Sequence, residues 1–198
     1  MRKSHPSRLA RFAARFAAAE RGATAVEFAL VSLPLLGLIL GTLELVLVLL
    51  VSTTLETATE SASRMIRTGE FQTSAANTRA DFKALVCQRM SWLNAQCNSQ
   101  LMVTSQVFSD FGALAGSAPI NSATFIAGGP NYVNTGGCFS TGQPADIVLV
   151  RVYFTWPLFS PLLDGMMDNM GNGKRLMSSA SAFRNEPYND NLPGGAAC

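Results

Sequence analysis

Two carboxylates and four thiols are the side chains whose setting could make them do more than pack. Glu27 stands just before, and Glu44 within, a run of 24 residues from Phe28 to Val51 that carries no other charge. An ionised carboxylate in apolar surroundings is costly and is kept where a cation or a set of donors meets it. Cys87, Cys97, Cys138 and Cys198 all lie beyond that run. Catalytic chemistry has little to build on. The only histidine is His5, the serines have no Ser-His-Asp or Ser-x-x-Lys context, and the carboxylates are scattered. There is no C-x-x-C to begin a zinc site. The glycine-rich G-G-P-N-Y-V-N-T-G-G-C lacks the Lys-Ser/Thr ending of a phosphate loop and reads as turn-rich surface. The expectation is a protein that is not an enzyme and has no cofactor, metal or nucleotide.

The apolar run must place the two acids. At 1.5 Å per residue, 24 residues make a helix of about 36 Å, sufficient to cross a hydrocarbon core of roughly 30 Å with some tilt. A buried core helix seldom stays apolar on every face for so long, and a cleavable secretory signal has a shorter apolar region. Before the run, Arg2, Lys3, Arg8, Arg11, Arg15 and Arg21 against Glu20 give residues 1–22 a charge of +5 within a chain of net +2, so the remainder carries −3. The excess of positive charge places the N-terminus in the cytoplasm and everything after about Ser52 on the far side. Arg8, Arg11 and Arg15 with Leu9, Phe12 and Phe16 could lie along the membrane surface as a short amphipathic helix. The mildly acidic remainder argues against a nucleic-acid partner.

Inside the span, Gly37 and Gly41 form a small-xxx-small pair on one helix face, which permits close approach of a second helix. Pro34 removes one helical hydrogen bond and should kink or loosen the helix near its start. Glu44, seventeen residues into the run, either reaches the outer interface or is buried against a partner subunit.

Beyond the membrane the helix continues to Gly69, a natural stop, with Leu55, Ala58, Ala62, Met65 and Ile66 on one stripe. A second helix is predicted over Asn77 to Leu93, with Phe82, Leu85, Val86, Met90 and Leu93 at helical spacing. Strands are predicted at Leu101 to Phe108, at Ile147 to Trp156 and, from a weaker Ser/Ala-rich pattern, at Arg175 to Phe183. In the second of these Val148, Val150, Val152, Phe154 and Trp156 share a face. A short helical piece is expected around Leu162 to Met167. This order implies an α+β head of helices on a small antiparallel sheet. The stretch from Gly112 to Pro144 reads as a long irregular connection.

Immediately before the span lies Arg21-Gly22-Ala23-Thr24-Ala25-Val26-Glu27-Phe28: a basic leader ending in Gly, a short small-residue stretch, then Glu-Phe opening an apolar helix. The pattern resembles the prepilin-peptidase site of type IV pilins, and its Glu-Phe variant resembles the TadE-like family of the Tad (Flp) pilus system. Looser resemblances follow at D-F-K-A-L-V-C, at Cys97, at D-I-V-L-V-R-V-Y-F-T-W-P and at A-F-R-N-E-P-Y. The resemblance implies cleavage after Gly22, with Ala23 as the new N-terminus and Glu27 as its fifth residue, paired with the α-amino group of a neighbouring subunit. On residues alone, Glu27 could equally rest at headgroup level. The implied organisation is a basic leader (1–22), a transmembrane and extended helix (23–69) and an exported pilin-like head (70–198). The implied place is the inner membrane with the head in the periplasm, or the pilus itself. The implied function is that of a minor pilin or pseudopilin, with the lipid bilayer, the prepilin peptidase, other pilins and Tad assembly proteins as partners. The alternatives are an uncleaved periplasmic assembly factor and an adhesive module that uses the loop from Gly112 to Pro144.

Cysteines exported from the cytoplasm can form lasting disulfides. Four cysteines allow three connectivities. Cys87 with Cys97 is the preferred pair provided that the chain turns between them, for which Asn94-Ala95 is the expected place. Ten residues of unbroken helix would hold the Cα atoms about 15 Å apart, beyond the roughly 4.4–6.8 Å of a disulfide. Cys138 with Cys198 would then tie the glycine-rich loop to the C-terminus.

Overall fold

The computed structural model describes residues 22–74, 77–127, 137–160, 165–171 and 173–188. The chain divides into two compact units, Met1–Leu43 and Glu44–Cys198. Helix α1, Ala23–Arg67, runs through the division, with Pro34 inside it and helical residues on both sides of the proline. The leader to Arg21 lies outside the described residues.

In the first unit α1 keeps its large apolar side chains exposed, among them Phe28, Leu33, Leu36 and Leu38. Among the described residues one helix, this one, is long and apolar enough to cross a membrane.

The second unit is an α+β head. After α1 come α2 (Glu70–Thr73), α3 (Arg79–Arg89), a 3-10 turn (Ser91–Leu93), α4 (Asn94–Gln100) and β1 (Leu101–Phe108). Then follow α5 (Phe111–Ala115), α6 (Ser122–Ala127), β2 (Ile147–Pro157) and β3 (Lys174–Arg184). The strands form one antiparallel sheet in the order β1-β2-β3. Leu101 pairs with Phe154, and Trp156 with Arg175. The register puts Val148, Val150, Val152, Phe154 and Trp156 on one buried face. That face shares a single core with Val48, Val51, Leu55, Ala58, Ala62 and Ile66 of α1 and with Phe82, Val86, Met90 and Leu93. The helical stripe and the alternating strand are the two periodicities that let a helix cover a sheet. Met65 and Leu85, expected in the core, are only partly buried at its edge.

Helix α1 stops where expected. Gly69 adopts φ 81°, and a Cβ there would lie 2.6 Å from Cγ of Tyr188, so both backbone and space require glycine. Helix α3 begins on a capping box: the Thr78 hydroxyl accepts from the Asp81 N–H at 3.3 Å, and the Asp81 carboxylate accepts from the Thr78 N–H at 2.9 Å. The Thr78 side chain and backbone both hold Asp81 below the usual carboxylate range.

Several expectations need correction. The helix read over Asn77 to Leu93 ends at Arg89, and the chain turns at Ser91, with φ 48°, rather than at Asn94-Ala95, which open α4 instead. Hydrophobic periodicity carried across this turn because Met90 and Leu93 are both buried whether or not the helix continues. The connection from Gly112 to Pro144 is not wholly irregular, since α5 overlaps its start and α6 lies within it. Near its end, Ser105 of β1 donates its N–H to Cys138 O and accepts from the Ser140 N–H, each at 2.9 Å. Phe139 thus adds a parallel bridge along the outer edge of β1. Residues 128–136 of that connection lie outside the described residues. So does Leu162 of the expected short helix, of which 165–167 are helical.

Candidate functional site

The residues singled out in the sequence fall into three places. The first is the start of α1. Gly22 directly precedes Ala23, the first residue of the helix, and open space surrounds the point where a Cβ of Gly22 would sit. Glu27 and Phe28 are exposed on the opening turns. Further along, Pro34 is exposed, while Gly37 and Gly41 are partly covered, with nothing within 4 Å of a Cβ at Gly37.

The second place is Glu44. It is 2 % exposed, and its acceptors are filled from within its own head. Oε1 accepts the Phe159 N–H at 2.6 Å, and Oε2 accepts the Ser160 N–H at 3.1 Å. Both donors lie just after β2. These intramolecular donors are a third arrangement beside the two expected for Glu44, the outer interface and a partner subunit. Carboxylates that accept backbone N–H groups form charge-assisted bonds, stronger than neutral ones. Glu44 holds the end of the sheet to the helix at the level where the head unit begins.

The third place is the cysteine set. Cys87 and Cys97 are joined, with their Cα atoms 5.5 Å apart, because the turn at Ser91 folds α4 back towards α3. Cys138 is also disulfide-bonded; Cys198, its expected partner, lies outside the described residues.

A fourth cluster was not singled out. Gln72, Asn185 and Tyr188 meet at the C-terminal end of α1. Gln72 Nε2 donates to Ile66 O at 3.0 Å and to Tyr188 Oη at 3.1 Å, and Asn185 Nδ2 donates to Thr141 O and Gln143 O, each at 3.0 Å. The Glu186 N–H donates to Arg67 O at 2.9 Å, and the two side chains form an ion pair at 3.3 Å. Helix carbonyls left open at a C-terminus need such partners, and here the segment after β3 supplies one. Burial raises the Tyr188 hydroxyl above its ordinary value although Gln72 and Asn185 oppose this. The sequence signal for this cluster was Asn-Glu-Pro-Tyr within A-F-R-N-E-P-Y, a polar stretch closing the last strand.

None of these places is arranged as a catalytic centre. No group of three or more His, Cys, Asp or Glu that could hold a metal occurs among the described residues. A shallow groove lies between the end of α1, α2, α3 and α4, beside Phe71, Leu85 and Cys87.

The family model described as TadE-like protein matches residues 22–64. The match begins at Gly22, the residue before α1, and ends near the last turn of that helix. No curated protein and no solved structure matches the chain.

Proposed function

We infer that this chain takes part in assembly of a Tad-type pilus as a minor pilin or pseudopilin, held in the membrane by α1 and contributing to the pilus by subunit packing. The observation that carries this reading is the coincidence of three boundaries at Gly22: the family match opens there, the basic leader ends there, and α1 starts with the next residue. A peptidase acting after Gly22 would release a helix complete from its first residue, with Glu27 exposed on its second turn. The head then follows on the same helix, locked to it by Glu44, by the shared core and by the cap around Asn185.

The reading is tested by shearing pili from cells that carry an epitope-tagged copy. Recovery of the processed chain in the sheared fraction supports a pilin role. A chain confined to the membrane with its leader intact would make it an anchored assembly factor instead.

A further inference from the structure

The end of the head that holds Glu44 exposes much apolar side chain. On α1, Leu45, Val46, Leu49 and Leu50 remain exposed although Glu44, Val48 and Val51 between them are buried. After β2, Phe159 is 66 % exposed and Met166 is 84 % exposed, and Trp92, on the 3-10 turn, is 50 % exposed. Trp92 and Phe159 each stand edge-on to Trp156, with ring centroids 6.4 and 5.8 Å away. The three rings are therefore one aromatic cluster at the end of β2.

Glu44 fixes the level of this cluster on the helix, because its carboxylate is bonded to the backbone of Phe159 and Ser160. The apolar run of α1 extends seven residues beyond Glu44, to Val51, about 10 Å at 1.5 Å per residue. Counted from the other end, residues 23–43 already give about 31 Å of helix, the thickness of a hydrocarbon core. If the membrane boundary falls at Glu44, the cluster lies at headgroup level; if it falls at Val51, the cluster lies about 10 Å inside. Every register between the two brings Phe159 and its neighbours against lipid. Trp is enriched at that level because its ring is apolar with a polar N–H, and an exposed Phe beside it adds apolar area for the acyl chains. From Phe159 to Arg175 the sequence carries Asp164 and Asp168 against Lys174 and Arg175, so neither sign of charge prevails there.

We propose that Trp92, Phe159 and Met166, backed by the buried Trp156, form a lipid-contacting face that seats the base of the head in the bilayer interface, through the boundary between headgroups and acyl chains. This rests on the reading of α1 as a membrane anchor. Without a dominant charge, the face should need no anionic lipid.

The test uses the full chain in phosphatidylcholine vesicles, with bromine-labelled acyl chains as the quenching probe. The chain has two tryptophans, so Trp156→Phe leaves the exposed Trp92 as sole reporter; should that variant fail to fold, Trp156→Tyr serves the same purpose. Lipid contact predicts loss of tryptophan emission, greater with bromines near the headgroups than near the bilayer centre, and unchanged by added phosphatidylglycerol. Emission indifferent to bromines, in a chain that resists alkaline carbonate extraction, would overturn the lipid face while leaving the anchor intact. Release by carbonate would overturn both. Unquenched emission together with disulfide cross-links between copies of Met166→Cys would make the patch a contact between subunits and equally overturn the proposal.

Discussion

Glu44→Ala would leave the Phe159 and Ser160 N–H groups of the head without their acceptor, and an unmet buried donor costs about 1–3 kcal/mol. Thermal unfolding of the full chain in detergent should show that loss, with Glu44→Gln falling between the variant and the parent because it keeps one acceptor oxygen. An unchanged melting temperature in Glu44→Ala would remove Glu44 from its structural role. An acid inside an apolar run is visible in the sequence, but its partners are not: they are backbone groups 115 and 116 positions away, and backbone donors leave no mark on residue type. Asp81 makes a prediction in pH. Its folded value is depressed by Thr78, so the capping box contributes stability above the ordinary aspartate value of about 3.9 and loses it as pH falls through the lower folded value. Asp81→Asn should flatten that acid limb of the unfolding profile. Gly69→Ala should destabilise the head by more than the roughly 1 kcal/mol of left-handed backbone alone, since the added methyl meets the Tyr188 ring. Chemical denaturation would measure it.

Among the elements, the strands were the most legible. β1 has the predicted bounds, and β2 and β3 each differ from theirs by one residue or less at either end: β2 is a run of β-branched and aromatic residues, which marks a strand, while β3, with neither Val nor Ile, shows only a weak Ser/Ala pattern. Helix ends were less so. Nothing in Met90-Ser91-Trp92-Leu93 announces a turn, and only the need to bring Cys87 near Cys97 demanded one. α5 and α6 escaped notice because five and six residues are too few to show a period. The Cys87–Cys97 bond closes a short loop and spans the turn at Ser91 between α3 and α4. Removing a native disulfide from a small domain typically costs about 2–5 kcal/mol. Cys87→Ser and Cys97→Ser should each lower steady-state protein, free one thiol at the partner position and leave Cys138 protected. Immunoblotting reads the protein level and alkylation with peptide mapping the two thiol outcomes, and a protected Cys97 in Cys87→Ser would mean that the bridges exchange.

For the whole molecule, α1 serves two ends at once: its first turns carry Glu27 exposed, and its later turns form one wall of a buried core. Glu27→Ala should therefore leave the head fold unchanged and reduce incorporation into pili, as expected of a carboxylate that pairs between subunits; normal piliation would return Glu27 to a headgroup position. Among the described residues nothing lies within 4 Å of a Cβ at Gly22, so an uncut product in Gly22→Val would report on the peptidase rather than on misfolding of the head. The most direct measurement is the mass of the chain's N-terminal peptide from wild-type cells and from cells lacking the prepilin peptidase. A mature N-terminus at Ala23 in the first and an intact leader in the second is the predicted result; an intact leader in both, or a cut elsewhere than after Gly22, would contradict it.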